Sequence, residues 1–211
     1  CDRIERIREG TNVMSANRAT EKGEDIEQPT FYYVRSQPYG MIHDVYLYDI
    51  NEPREFTGLV SLFRHASESD IIKIYINSSG GHLSTGMQLL NAIEGCLATI
   101  VTILDGDASS MAGLLFLAGD EMVVPDNCAL MLHNFSLGMF AKGQDFLNFH
   151  QSTQDTYNKM VEKYAARVLT ASEISNMMKG EDIYLTSVEL GIRLAKFEKK
   201  TLLEQKKAAK N

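Results

Sequence analysis

The sequence predicts an α/β fold with a parallel sheet, on three observations. Short apolar runs, "IIKIYI" (71–76) and "ATIVTIL" (98–104), alternate with segments whose apolar residues recur at helical spacing. Each run ends in small polar residues, "NSSGG" (77–81) and "DGDASS" (105–110), just before a helix begins. Strand–helix–strand at this spacing is what parallel βαβ crossovers in one sheet require. A chain of 211 residues, 44% hydrophobic and 23% charged, is long enough to bury one sizeable core.

Taken in order, residues 1–28 are rich in charge and poor in large apolar groups. They read as a flexible polar arm with at most one helical turn near its start. Order is expected from "TFYYVR" (30–35), followed by a strand rich in aromatic and β-branched residues, "MIHDVYLYDI" (41–50). Asn51 is placed to cap a helix that carries Pro53 in its first turn and sets Phe56, Leu59, Val60 and Phe63 on one face. "IIKIYI" reads as a strand covered on both faces, and the helix after Gly81 turns Leu83, Met87, Leu90 and Ile93 inward. "ATIVTIL" is the next buried strand, and "EMVVP" and "ALMLH" add two short ones.

A long helix with a polar face spans about 144–168. Thr170 with Glu173, and Thr186 with Glu189, match the T-x-x-E capping box. They predict a helix near 171–179 and a short one near 187–190 ending at Gly191. "IRLAKF" reads as a last edge strand, and "EKKTLLEQKKAAKN" (198–211) as a charged, solvated tail with helical character. No internal repeat is visible.

The formal net charge of −7 excludes a basic footprint for nucleic acid. No apolar run reaches the roughly 18–20 residues that cross a bilayer, and the charged N-terminus has no apolar signal region. A cytoplasmic protein with no membrane partner is therefore expected. Cys1 in place of Met reads as a trimmed start, with lipid modification of Cys1 the less favoured alternative. The three cysteines form no CxxC pair, and Cys96 and Cys128 read as buried, reduced thiols. With no HExxH motif and no histidines at ligand spacing, neither a metal nor another cofactor is expected.

Both small-residue turns should lie beyond the carboxyl ends of adjacent strands, where α/β sheets hold their ligands. Gly80 and Gly81 let backbone amides approach a substrate closely. Together the two turns can offer two N–H groups to one oxygen, as acyl transfer requires. A serine at the head of the helix after "LDGDASS" is then either a plain cap or a nucleophile. A nucleophile needs a base, and the chain holds five histidines. His43 and His65 read as structural polar residues, His150 as solvated on a helix, and His82 as a residue lining the site. His133 ends the strand "CALML" and faces the same carboxyl edge; from the residues alone it is as readily a core polar group as a base.

"INSSGG" (76–81), "GDASSMAG" (106–113), "MLHN" (131–134) and "EDIYLTSVELGI" (181–192), in this order, resemble the motifs of the ClpP family of serine peptidases across about residues 40–197. The resemblance implies the ClpP/crotonase-like fold, with repeated ββα units around a parallel sheet and a protruding helix–strand handle at about 134–170. The domains it implies are the arm 1–28, a protease domain 29–197 and the tail 198–211.

By position the resemblance makes Ser110 the nucleophile, His133 the base and Asp182 the third member, with Gly81 and Met111 supplying the oxyanion-hole amides. Gly80, His82 and Leu83 on one side, and Ser136, Leu137 and Gly138 on the other, would pair with an extended peptide. A strand is expected at about Ser136–Phe140 for that purpose. The resemblance further implies peptide and unfolded-protein substrates, a homo-oligomer of heptameric rings and an AAA+ unfoldase partner.

The polar N-terminal arm does not resemble the family's usual axial-loop segment, and three further positions depart from the family pattern. Ser79 stands where proline is common, "HNF" replaces His-Gln-Pro, and Gly180–Glu181 replaces an acidic–basic pair associated with ring-to-ring contact. Three alternatives stay open: an inactive scaffold or regulatory subunit, a crotonase-type acyl-CoA enzyme, and a Ser–Lys enzyme using Lys142.

Overall fold

The computed structural model describes residues 30–208, so the expected arm at 1–28 and the last three residues lie outside the described residues. Strands β1 (Thr30–Gln37) and β2 (Gly40–Leu47) form an antiparallel hairpin. A 3-10 turn, Pro53–Phe56, leads directly into α1 (Thr57–His65). Asn51 does not cap it. The N-cap position falls to Glu52 with no side-chain bond, because Pro53 starts the turn, and the Asn51 carbonyl instead accepts the Thr85 hydroxyl at 2.5 Å.

Next come β3 (Ile71–Ser78), α2 (Leu83–Glu94), β4 (Thr99–Ser109) and α3 (Met111–Phe116). Short strands β5 (Glu121–Val123) and β6 (Ala129–Leu132) precede the long helix α4 (Gly143–Tyr164), which tightens into a 3-10 turn at Ala165–Arg167. Helix α5 (Ala171–Met178), strand β7 (Ile183–Thr186) and helix α6 (Ser187–Ala208) complete the described chain.

The strands join in the order β1-β2-β3-β4-β6-β7, with β5 also on β4. β2, β3, β4 and β6 are mutually parallel along this path, while β1 and β7 are antiparallel edges. β4 outreaches its neighbours, so one of its edges serves β5 at Val101–Ile103 and β6 at Asp107–Ser109. The expected parallel crossovers are present.

β3 differs from expectation: Ile72, Ile74, Ile76 and Ser78 are buried, whereas Ile71, Lys73 and Tyr75 are only half-buried and Asn77 is exposed. One face of the strand is thus fully covered. On the other, Tyr46 stacks on Tyr75 with ring centroids 4.9 Å apart. The core runs from Phe56, Val60 and Phe63 of the first helical segment through Ile72, Leu90, Ile100 and Phe116 to Val161 and Leu185. Tyr157, Met160, Val161 and Tyr164 form the buried stripe of α4, whose first two turns are exposed throughout.

The end of the chain corrects the sequence reading. No short helix stops at Gly191, and "IRLAKF" is not a strand. α6 runs through both as one helix. A glycine inside a helix costs about 1 kcal/mol; here burial of Leu190 and Leu194 and the pairing of Arg193 offset it. Arg193 grips Glu173 through two nitrogens at 2.8 and 2.9 Å, and it reaches the Glu189 carboxylate and the Val168 carbonyl as well. Glu173 also completes the capping box with Thr170, as expected from T-x-x-E.

The Arg193 guanidinium is the main reason the Glu173 carboxyl is held down to about 2. A carboxyl lowered on folding stabilises the fold above its ordinary value of 4.5, and that contribution is lost as pH falls from there toward about 2. Glu173→Gln is therefore expected to cost about 1–2 kcal/mol at neutral pH and to flatten the acid limb of stability between those two values. Thermal melts across that pH range check both effects.

Candidate active site

The sheet delivers its chemistry at the carboxyl edge, where β3 and β4 end. β4 does not turn at Gly106. It continues through Ser109, paired with Met131 of β6, because Asp107 and Ala108 also join that ladder. Only then does the chain bend. Ser110 takes φ 57 and ψ −123, the sole non-glycine residue at positive φ among the described residues. Such a backbone costs about 1–3 kcal/mol unless its surroundings over-determine it. Here the Ser110 N–H donates to the Met131 carbonyl at 2.8 Å, and the Ser110 carbonyl accepts from Gly113 at 3.1 Å. The next side chain, Met111, is buried in a notch that exists because Gly86 lacks a Cβ: one added there would lie 2.2 Å from the Met111 sulfur. The first amide of α3, on Met111, has no acceptor within its own helix.

The glycine turn after β3 is pressed against this bend. Gly80 sits at φ +102, and a Cβ there would fall 2.8 Å from the Ser109 carbonyl oxygen, 2.9 Å from Ser110 Cβ and 3.3 Å from the Met111 nitrogen. Gly81 bridges to Ile50: Ile50 donates to the Gly80 carbonyl at 3.2 Å, and His82 donates to the Ile50 carbonyl at 2.7 Å. Because the C=O and N–H of a planar trans peptide group point in opposite directions, the N–H and carbonyl of Gly81 itself turn away from Ile50. The amides of Gly81 and Met111 are therefore used neither by Ile50 nor within α3. His82, expected to line the site, is exposed at the head of α2, with Nδ1 3.7 Å from a Glu52 carboxylate oxygen. Leu83 is half-buried at the first position of α2.

His133 follows β6 directly. β6 pairs in parallel with β4 and antiparallel with β7, with Leu132 opposite Ile183. One residue further in each direction lie His133 and Asp182. The register therefore brings Ser110, His133 and Asp182 to one edge, from three neighbouring strands. Ser110 and His133 are half-buried and Asp182 is exposed. Among the described residues no hydrogen bond joins any two of these side chains. Such contacts commonly tighten only when substrate binds.

The expected strand at Ser136–Phe140 is absent: residues 133–142 carry no regular secondary structure. A strand needs a ladder partner, and the described chain supplies none to this stretch. Ser136 and Gly138 are exposed and Leu137 half-buried.

Sequence reasoning missed what holds the segment after β6. The His133 carbonyl accepts the Tyr157 hydroxyl of α4 at 2.5 Å, and the Asn134 side chain donates to the Met178 carbonyl of α5 at 3.1 Å. Tyr157 was legible as part of an i, i+3, i+4, i+7 stripe with Met160, Val161 and Tyr164; Asn134 carried no signal.

The other candidates lie elsewhere. His43 is buried on β2 opposite Ile72, toward the far end of the strands, and burial lowers its pKa. His65 is exposed and bonds the Ser61 carbonyl at 2.8 Å. His150 is exposed on α4, as expected, and stacks on Phe146. Cys96 and Cys128 are free, half-buried thiols whose pKa values are raised chiefly by burial. Among the described residues, no group of His, Cys, Asp and Glu could hold a metal ion, and no helix is long and apolar enough to cross a membrane.

Comparison with known proteins agrees with the architecture. The family model described as Clp protease matches residues 54–190. A curated relative, the ATP-dependent Clp protease proteolytic subunit of Deinococcus radiodurans, is 27% identical over 121 residues, covering 53% of this chain and 59% of the relative. The chain thus spans somewhat over half the length of that relative.

Gly80→Ala is expected to lower stability by about 1–3 kcal/mol, since the new methyl group meets the Ser109 carbonyl and Ser110 Cβ while the backbone stays left-handed. Thermal melting checks this. Ser79→Ala, at an exposed neighbouring position, is expected to melt like the parent.

Proposed function

Because the chain belongs to the Clp protease family, we propose that it is a serine endopeptidase in which Ser110 is the nucleophile, His133 the base and Asp182 the residue that orients the base. The observation that carries this reading is the left-handed Ser110 between the end of β4 and the start of α3. In this reading the bend lifts the Ser110 hydroxyl off the sheet edge, with the Gly81 and Met111 amides as its oxyanion donors. In the reaction, Ser110 Oγ attacks the scissile carbonyl as His133 takes its proton. The resulting oxyanion is met by the N–H groups of Gly81 and Met111. His133 then passes the proton to the leaving amine, and water, deprotonated in turn by His133, releases the acyl group from Ser110. Asp182 holds the imidazole tautomer and balances its positive charge.

Substrate is an extended peptide. The outward carbonyl of Gly81 provides one strand-like edge, and the unpaired stretch around Ser136, Leu137 and Gly138 provides the other, with Gly80, His82 and Leu83 completing the wall. Recognition through backbone groups gives weak sequence preference, which suits unfolded chains. By the same reading the domain proper is 29–197, flanked by the arm and the tail, and the chain works in the cytoplasm. Residues 134–170 form the protruding handle, identical subunits assemble as heptameric rings, and an AAA+ unfoldase feeds the chamber.

An inactive scaffold subunit is the second reading, favoured by the absence of hydrogen bonds between the three side chains in the single chain. The two readings separate in one experiment: labelling with a fluorophosphonate probe and mapping the adduct by mass spectrometry. Stoichiometric adduct on Ser110 is expected, with none in Ser110→Ala and labelling slowed at least about hundredfold in His133→Ala. A probe that leaves Ser110 unmodified in the intact oligomer sinks the peptidase reading. Mass photometry reads ring size in the same sample, and a thermal shift with coenzyme A is expected to be nil.

A further inference from the structure

Strand pairing in β6 ends at Leu132, so the sheet does not hold the carbonyl of His133. Helix α4 does. Tyr157 is 5% exposed, in the stretch "QSTQDTYNKM", and its hydroxyl donates to the His133 carbonyl at 2.5 Å. Burial pushes the phenol up to about 12, so it remains a neutral donor at ordinary pH. Its ring packs edge-on against Phe135 with centroids 5.4 Å apart. Phe135 N–H in turn donates to Asn134 Oδ1, and Asn134 Nδ2 donates to the Met178 carbonyl at the end of α5. The dipeptide after β6 is therefore tethered from one side by α4 and from the other by the helix that precedes Asp182.

We propose that Tyr157 is a positioning residue for the base: by fixing the direction of the His133 carbonyl it sets the backbone from which the imidazole reaches Ser110. The inference rests on the reading of His133 as base. The directionality is chemical: a carbonyl released from its donor lets the peptide plane rotate, and rotation swings the Cβ of the residue that carries it. The phenyl ring of Tyr157→Phe preserves the packing on Phe135 and removes only the donor.

The test is the time course of fluorophosphonate labelling of the full chain, followed by intact mass. It is run on the wild type, Tyr157→Phe, His133→Ala and the double variant. The expected result for Tyr157→Phe is full labelling amplitude with a rate constant lowered about tenfold, the pH midpoint of labelling displaced, and no further slowing in the His133→Ala background. With a fluorogenic peptide, kcat falls while KM is unchanged. A merely structural role would lower the amplitude at an unchanged rate constant, and that result overturns the proposal. So does a wild-type rate constant, or equal slowing by Tyr157→Phe with and without His133. In each of these cases Ser110 is still labelled, and the peptidase reading survives. Absence of the Ser110 adduct in the wild type overturns both.

Discussion

One backbone hydrogen bond, from the Ser110 N–H to the Met131 carbonyl, is what the carboxyl edge depends on. A serine at positive φ is unfavourable by itself. It persists here because β4 is paired on both sides almost to its end, with Ser78 of β3 opposite Ala108 and Met131 of β6 opposite Ser109. The ladder cannot continue through a residue that turns out of plane, and the helix cannot start earlier without breaking the pairs with β6. Met111 is then driven into the space left open by Gly86, which anchors the bend from its other side. Strand length, bend and helix start are consequences of one another.

β6 is the hub that makes such a site from distant sequence. It is only four residues long, yet it borders β4 in parallel and β7 antiparallel. A parallel neighbour ends at the same edge and an antiparallel neighbour begins there, so residues just past β4 and β6 and just before β7 meet without any long loop. The same geometry leaves His133 beyond the last ladder bond. Its carbonyl is taken by Tyr157 of α4, and the following side chain by α5. Helices α5 and α6 are in turn clamped by Arg193, Glu173 and Glu189, which fixes the ends of the segment that carries Asp182. Further from the site, Lys163 at 2.6 Å and the Tyr164 hydroxyl both meet Glu94, tying the C-terminal ends of α2 and α4 together.

Particular residues mark where the sequence could and could not be read. The pattern of Leu83, Met87, Leu90 and Ile93 gave α2 because its burial is periodic within a single element. Thr170 and Glu173 gave the start of α5 because a capping box is local chemistry. "IRLAKF" misled because a short apolar run looks alike in a strand and in a buried helix face. Gly191 misled because glycine stops a helix only when nothing packs the next turn, and Leu194 does pack it. The stretch Ser136–Phe140 was expected as a strand from the family resemblance, but strands are made by partners and none stands beside it among the described residues.

By itself the amino-acid sequence determined the parallel α/β class and the two small-residue turns, which follow from periodicity and turn chemistry; Ser110, His133 and Asp182 became candidates together through the family resemblance of the motifs that carry them. Only the tertiary structure decided that β4 extends to Ser109, that Ser110 is left-handed, that Gly81 turns its amide away from Ile50, and that Tyr157 and Asn134 tether the residues after β6. Each of these is a contact between segments far apart in the chain. No local preference encodes such a contact: it exists only once the sheet register has chosen which residues stand side by side.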